Sequence, residues 1–172
     1  MIHKCKNGDS ASFKPLMNIY KNRLFSYLMR KADSRDEAED IMQEVLIKVW
    51  KGLPKYKEEN RFSSWLFSIA YNAVIDAGRK KNSSIINSDE DIGITNNGPF
   101  ENFVALETNK IIENALSLLT DNQKEVFLLR QHGELSFKEI SKKLDQPLNT
   151  VISHMHYAVK KLKKTLRQKD VI

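Results

Sequence analysis

The sequence is poor in the residues that form disulfides, tight turns and phosphate-binding loops. One cysteine, Cys5, among 172 residues excludes an intramolecular disulfide and a cysteine-based zinc site. Six glycines and four prolines leave little material for hairpins or glycine-rich loops, so helices should dominate. No stretch approaches the ~18 apolar residues needed to cross a bilayer, and the N-terminus lacks the apolar segment of a signal peptide. We therefore expect a cytoplasmic chain, without membrane insertion, that folds as one ordinary domain or two small ones.

Signs of bond-making chemistry are also missing. The sequence has no Ser/His/Asp order, no paired carboxylates in a predicted cleft and no phosphate loop. His3 and Cys5, and likewise His154 and His156, stand two residues apart, which is a poor spacing for metal ligands. We expect no enzymatic activity, no cofactor and no metal site.

Charge divides the chain into three segments. Residues 1–81 carry a net charge of +6 and residues 110–172 a net charge of +5, whereas residues 82–109 contain five acidic and no basic residues. The overall basic excess favours a polyanionic partner. The middle segment is rich in Asn, Ser, Gly and Asp, so we interpret residues 82–104 as a flexible acidic linker between domains 1–81 and 105–172. The plain interpretation of its acidity is that this linker is a solvated tether.

Three amphipathic helices are predicted in the first domain. Apolar residues recur every three or four positions over 13–28, and again over 38–50 after the capping residue Ser34. The second of these runs ends at Gly52. A third helix is predicted from about Ser63 to Lys81. Its buried face would comprise Leu66, Ile69, Ala70, Ala73 and Val74.

The second domain contains two capping boxes, in which a Ser or Thr precedes a Glu or Gln by three residues. Thr120-x-x-Gln123 begins a helix that should stop at Gly133, and Ser136-x-x-Glu139 begins a short helix. After a turn, a long helix with a polar and basic face runs over about 148–168. Two such helices joined by a short turn are typical of a helix-turn-helix. The expected fold class is all-α, in two small helical domains of which the second is a helix-turn-helix.

An acidic stripe marks the second helix of a domain that is otherwise basic. Asp40, Gln43 and Glu44 lie three or four residues apart and share one face. Acidic side chains repel DNA and suit a basic protein surface, although a solvated helix face would have the same pattern.

One face of the third helix carries an aromatic, an amide, a carboxylate and a guanidinium group in a line along its axis. We call these four residues the Trp65 line: Trp65, Asn72, Asp76 and Arg79. Aromatic and basic residues interleave around it, and this is the combination that binds single-stranded nucleic acid. Trp65 could equally be a core residue, and one tryptophan can serve both purposes.

The last helix carries a polar and basic outward stripe, which comprises Thr150, Ser153, His154, Tyr157, Lys161 and Lys164. Its first turns are where side chains contact base edges in the major groove, and its lysines lie further along, where phosphates would be met. A helical hairpin with a solvated lysine face is the alternative.

The chain resembles a bacterial RNA polymerase sigma factor of the sigma-70 family, and within that family the small extracytoplasmic function (ECF) subgroup. Two runs in the right order carry the resemblance: DEAEDIMQEVLIKVWKGLPKYKEENRFSSWLFSIAYNAVIDAGRKK and LTDNQKEVFLLRQHGELSFKEISKKLDQPLNTVISHMHYAVKKLKKTL. It covers about residues 13–167. The resemblance implies a transcription initiation factor whose partners are core RNA polymerase, promoter DNA and a possible anti-sigma factor.

The resemblance also implies roles by position. The acidic stripe would bind the coiled coil of the polymerase beta-prime subunit, with the beta flap as a further polymerase contact. The −10 element would be read and melted by a base pocket of Arg61, Phe62, Ser63 and Trp65, and by a DNA-facing set of Asn72, Asp76, Arg79 and Lys80. The −35 element would be read by the outward stripe of the last helix.

Some positions depart from the commonest form of the family. Ile152, His154 and Tyr157 stand where a basic residue is usual, so the base preference cannot be transferred. Gly78 costs about 1 kcal/mol relative to alanine within the third helix and would let that helix end early.

Two other classes of protein stay open. One is a stand-alone dimeric helix-turn-helix regulator, and the other is an all-helical adaptor that binds no nucleic acid. A dimeric regulator gives no reason for the acidic stripe or for the Trp65 line.

Overall fold

The computed structural model describes residues 1–57, 61–85 and 111–167, with side chains up to residue 81 in the second range. Within these ranges the regular structure is helical, without strands. The chain divides into two compact units, Met1–Asn97 and Gly98–Ile172. The predicted fold class is therefore confirmed. The predicted linker at 82–104 lies outside the described residues, except for 82–85, which are helical.

Four helices build the described part of the first unit. They are α1 (Ile2–Lys6), α2 (Phe13–Met29), α3 (Arg35–Gly52) and α4 (Phe62–Ile85). Short 3-10 turns lie at Ser10–Ser12 and Leu53–Lys55. As predicted, Ser34 caps α3: its Oγ accepts a 3.1 Å hydrogen bond from the Glu37 backbone N–H. The sequence did not predict α1, which buries Cys5.

The core of this unit is formed by the centres of the predicted apolar faces. The fully buried positions include Leu24, Val45, Val49, Leu66, Ala70 and Ala73. Ile69 and Val74, at the edges of the predicted α4 face, are half-buried. Helix periodicity therefore identified the inward direction of each helix, and packing decided how far burial extends around it.

The helices α3 and α4 are antiparallel. Asp33, just before α3, pairs with Lys81 late in α4, and Lys48 pairs with Asp76 in between. At the other end, the Trp65 indole lies against Gly52. This arrangement brings the acidic stripe and the Trp65 line onto neighbouring helices.

Gly78 does not end α4. The helix continues to Ile85, so the expectation of an early end is wrong. Gly78 is exposed, and an added Cβ would have nothing within 4 Å. Its cost in helix propensity is about 1 kcal/mol, which is small beside the burial of the preceding turns and the Asp33–Lys81 pair beyond it.

The second unit contains α5 (described over residues 111–117), α6 (Asp121–Gly133), α7 (Phe137–Leu144) and α8 (Leu148–Arg167). Both predicted capping boxes are present. Thr120 Oγ1 accepts from the Gln123 backbone N–H at 3.4 Å, and Gln123 Oε1 accepts from the Thr120 N–H at 3.3 Å. The corresponding distances for Ser136 and Glu139 are 3.3 and 2.7 Å. The predicted helix-turn-helix, α7 and α8, is confirmed.

The turns on either side of α7 use left-handed residues that are not glycine. Glu134 has φ of 58° and Asp145 has φ of 51°. Gly133, the predicted stop, is the last helical residue, and the chain reverses one position later. Arg130 steadies this turn because its Nη1 donates a 2.8 Å hydrogen bond to the Leu135 carbonyl.

Candidate functional site

The acidic stripe of α3 lies at the surface of the first unit. Asp40 and Gln43 are exposed, and Glu44 is half-buried. Ile47 follows on the same face, three residues after Glu44, and its side chain is 54% exposed. The surface is therefore an acidic and amide stripe that ends in an exposed aliphatic side chain. Ile47 was missed by the sequence analysis, although its spacing from Asp40 and Glu44 was the available signal.

Glu44 is engaged within the unit. Its Oε1 lies 2.8 Å from Lys48 Nζ, and the same Nζ donates a 3.1 Å hydrogen bond to Asp76 Oδ2 on α4. The hydrogen bond to Glu44 is the largest cause that raises the pKa of Lys48, and the bond to Asp76 adds to it against the opposing effect of burial. A cation shared by two carboxylates thus joins the acidic stripe to the Trp65 line.

The line of α4 residues has an exposed polar end. Asn72, Arg79 and Lys80 are exposed, and Asp76 is half-buried beside Lys48. An open groove of about 480 Å³ runs beside Arg79, with Ile41, Val74 and Ile75 on its walls. The face combines amide, carboxylate and guanidinium groups, as the spacing predicted.

Trp65 belongs to an aromatic cluster. Its ring centroid lies 4.8 Å from that of Tyr56 and 5.5 Å from that of Phe62, and Phe62 also contacts Tyr20 at 5.2 Å. The indole is half-buried, and a Cβ added at Gly52 would be 2.9 Å from its Cζ2. The ring is therefore partly packed and partly exposed, which agrees with both interpretations of Trp65.

Two residues of the predicted base pocket point inward. Phe62 is 3% exposed and Ser63 is 8% exposed. Ser63 Oγ accepts a 3.3 Å hydrogen bond from Arg23 Nη2 on α2. Of the four predicted pocket residues, Arg61 is exposed and Trp65 is half-buried, whereas Phe62 and Ser63 are buried. Periodicity was the available signal, because Phe62 and Ser63 lie four and three residues before Leu66 of the predicted buried face.

The solvent-exposed face of α8 differs from the predicted stripe. Its buried side is formed by Val151, Ala158 and Leu162. His154 lies one turn from both Val151 and Ala158, so it is half-buried at the edge of that side. The other five predicted residues are exposed: Thr150, Ser153, Tyr157, Lys161 and Lys164.

The exposed face of α8 is also wider than predicted. It includes residues that the predicted stripe leaves out, namely Asn149, Ile152, His156 and Lys160. The signal that could have found them was the buried stripe itself, since they lie opposite Val151 and Ala158 on the helix.

Positive charge concentrates at the C-terminal end of α8. Four side chains line an open groove of about 430 Å³: Lys160, Lys163, Lys164 and Arg167. Lys161 points differently, because its Nζ donates a 3.2 Å hydrogen bond to the Leu118 carbonyl just after α5. Of the two predicted phosphate-binding lysines, Lys164 therefore lines the basic groove, whereas Lys161 is hydrogen-bonded within the second unit.

The described residues contain neither a group of metal-ligating side chains nor a membrane-spanning helix. Within ranges 1–57, 61–85 and 111–167, no three His, Cys, Asp or Glu side chains are grouped so that they could hold a metal ion. No helix in that part of the chain is long and apolar enough to cross a bilayer.

Comparison with known families accounts for both units. The family model described as Sigma-70 region 2 matches residues 16–84, and the one described as Sigma-70, region 4 matches residues 109–162. The chain belongs to the sigma-70 family. Region 2 contains α2 to α4, with the acidic stripe and the Trp65 line, and region 4 contains the helix-turn-helix of this sigma factor.

Curated relatives identify the subgroup. This sigma factor is 32% identical over 177 aligned residues to the ECF RNA polymerase sigma factor SigW of Bacillus subtilis (strain 168), with 96% of this chain and 95% of the relative covered. It is 25% identical to the ECF RNA polymerase sigma-E factor of Escherichia coli (strain K12), with 92% and 88% covered. It is therefore an ECF sigma factor, a transcription initiation factor that binds core RNA polymerase and directs it to promoters through the −10 and −35 elements. This excludes the dimeric regulator and the adaptor.

Solved structures share the fold. The sigma factor RpoE, solved with the anti-sigma factor NepR from Bartonella quintana, matches with a TM-score of 0.72 and 21% identity over 91% of this chain and 97% of that chain. CnrH, solved with the cytosolic domain of CnrY, matches with a TM-score of 0.64 and 19% identity over 97% and 95%. At these identities the likeness shows the fold alone.

Proposed function

We propose that this sigma factor binds core polymerase through the acidic stripe of α3. The observation that supports this most directly is the exposure of Asp40 and Gln43 beside Ile47, on a helix whose opposite face is buried. Charged groups around an exposed aliphatic side chain are the composition of a protein interface with a polar rim. The partner surface is basic, and we assign it to the coiled coil of the beta-prime subunit.

The helix α4 is the −10 surface in this proposal. Trp65 offers one face for stacking on an unpaired base, Arg61 lies beside it, and Asn72, Arg79 and Lys80 contact DNA further along. Phe62 and Ser63 act indirectly, since they are buried beneath the pocket. Asp76 faces DNA while it is bound to Lys48.

The helix α8 is the −35 surface. Thr150, Ser153 and Tyr157 are exposed in its first turns, where major-groove contacts are made. His154 reaches the same groove from the edge of the buried side. Lys164 and Lys161 contribute charge to phosphates, although Lys161 must first leave the Leu118 carbonyl. The second unit also meets the beta flap of the polymerase.

An inhibitory protein is a further proposed partner. The sigma factor RpoE, which has the same fold, was solved in complex with the anti-sigma factor NepR, and CnrH was solved in complex with the cytosolic domain of CnrY. The proposed place of action is the cytoplasm, where core polymerase and promoters are found.

Reconstitution with core polymerase tests the proposal. Asp40→Lys should weaken core binding at least tenfold, because reversing one partner of a close interfacial pair costs on the order of 2 kcal/mol or more. Glu113→Lys, an equal charge reversal at an exposed residue of α5, is the matched control and should bind like the parent. Equal competition for core by Asp40→Lys and the parent would refute the assignment of the stripe.

Promoter assays test the two DNA surfaces. Trp65→Ala should reduce open-complex formation on duplex promoters, through lost stacking of about 1–3 kcal/mol per base, and pre-melted templates should restore part of it. Full activity of a stably folded Trp65→Ala on duplex DNA would make Trp65 a packing residue only.

A further inference from the structure

We propose that Lys48 is a positioning residue for promoter recognition, which holds the Asp76 carboxylate in place on the DNA-facing side of α4. The inference rests on the proposed function of α4 as the −10 surface. Lys48 lies on α3, 28 residues before Asp76, and its Nζ donates to Asp76 Oδ2 at 3.1 Å. The family assignment and the sequence pattern give Lys48 no role of this kind.

A carboxylate on a DNA-binding face needs such a partner. A free carboxylate repels phosphates, and its side chain can rotate away from any one base. Lys48 offsets part of that charge and binds one oxygen, while a carboxylate keeps acceptor capacity on its second oxygen. An oriented acceptor of this kind can bind the amino group of cytosine or adenine and so distinguish bases.

Fold stability does not explain the pair. The Lys48 and Asp76 side chains are 37% and 44% exposed, and ion pairs of this exposure contribute little to folding. The contact between α3 and α4 is held instead by fully buried residues such as Val49 and Ala73. Glu44, 2.8 Å away on the other side, orients the Lys48 ammonium and limits its freedom.

The test is a library of −10 sequences transcribed by holoenzyme that is formed at saturating core polymerase. Lys48→Met should reduce the ratio of transcription from the preferred −10 sequence to transcription from its single-base variants by roughly fivefold or more. Lys48→Arg should retain the ratio within about twofold, because it keeps a donor to Asp76. Arg35→Met, which removes another exposed ion pair of α3 at 2.9 Å, is the matched control and should leave the ratio unchanged.

A double substitution shows whether Lys48 acts through Asp76. Asp76→Asn should narrow the same ratio at the same base positions, and adding Lys48→Met should change it no further. Additive effects, or an unchanged ratio in Lys48→Met beside an altered one in Asp76→Asn, would overturn the inference. A tenfold loss of core affinity in Lys48→Met would also overturn it, since Lys48 would then act through Glu44. If Asp76→Asn itself left −10 preference unchanged, the proposed contact of Asp76 with the −10 element would fail, and the inference would fail with it.

Discussion

Gly52 and Gly78 form a matched pair at which the same substitution should change stability in opposite directions. Both are helical residues of the first unit. An alanine Cβ at Gly52 would lie 2.9 Å from Cζ2 and 3.4 Å from Cη2 of Trp65, whereas at Gly78 nothing lies within 4 Å. The two sites therefore differ in the space available for an added Cβ.

The magnitudes follow from that difference. Alanine is favoured over glycine in a helix by roughly 0.5–1 kcal/mol, so Gly78→Ala should stabilise the first unit by this amount. At Gly52 the gain is opposed by overpacking, which typically costs about 1–3 kcal/mol. The Trp65 ring lies close to Gly52 and packs against Tyr56, so it cannot move without disturbing the aromatic cluster. Gly52→Ala should therefore destabilise the unit by about 0.5–2 kcal/mol.

Tryptophan fluorescence during denaturant unfolding is the appropriate measurement. The two tryptophans of the chain, Trp50 and Trp65, both lie in the first unit, so the signal reports on that unit. The midpoint should fall for Gly52→Ala and rise for Gly78→Ala. Open-complex formation should fall for Gly52→Ala as well, because its Trp65 is displaced. Equal stabilisation by both substitutions would show that the Trp65 ring moves aside without a free-energy cost. That result would refute the packed position assigned to Trp65.

Three further predictions concern the second unit. Ser136→Ala should destabilise it by about 1 kcal/mol, because the cap on the Glu139 N–H is lost; unchanged thermal unfolding by circular dichroism would contradict this. Glu134→Gly should raise the melting temperature more than Asp145→Gly, because the left-handed conformation costs about 1–2 kcal/mol for most residues and less for aspartate; equal shifts would count against it. Lys164→Gln should weaken all promoters alike and reduce the log–log salt slope by roughly one, whereas Ser153→Ala should change −35 preference by about 1–3 kcal/mol per base pair; the opposite pattern in a promoter library would show that the roles are exchanged.

Most helices and their N-terminal caps were predictable because local interactions decide them. The caps at Ser34, Thr120 and Ser136 join groups within one helical turn, and each is found where the sequence placed it. The apolar period set the inward direction of α2, α3, α4 and α8 for the same reason. The motifs that identify the family are equally local, so the two-domain fold and the sigma-factor assignment were within reach of the sequence.

The contacts between helices were decided only by the tertiary structure. The relative position of α3 and α4 depends on how their buried faces pack, and that packing alone brings Lys48 to Asp76 and Gly52 under Trp65. The same reason explains the contacts of Phe62 with Tyr20 and of Ser63 with Arg23, both on α2. On α8, periodicity showed that one side is buried, but contact with the rest of its unit decided where that side ends, and so left His154 at its edge. A sequence specifies interactions within a turn directly, whereas a contact between distant residues exists only after the core has set the distance between their helices.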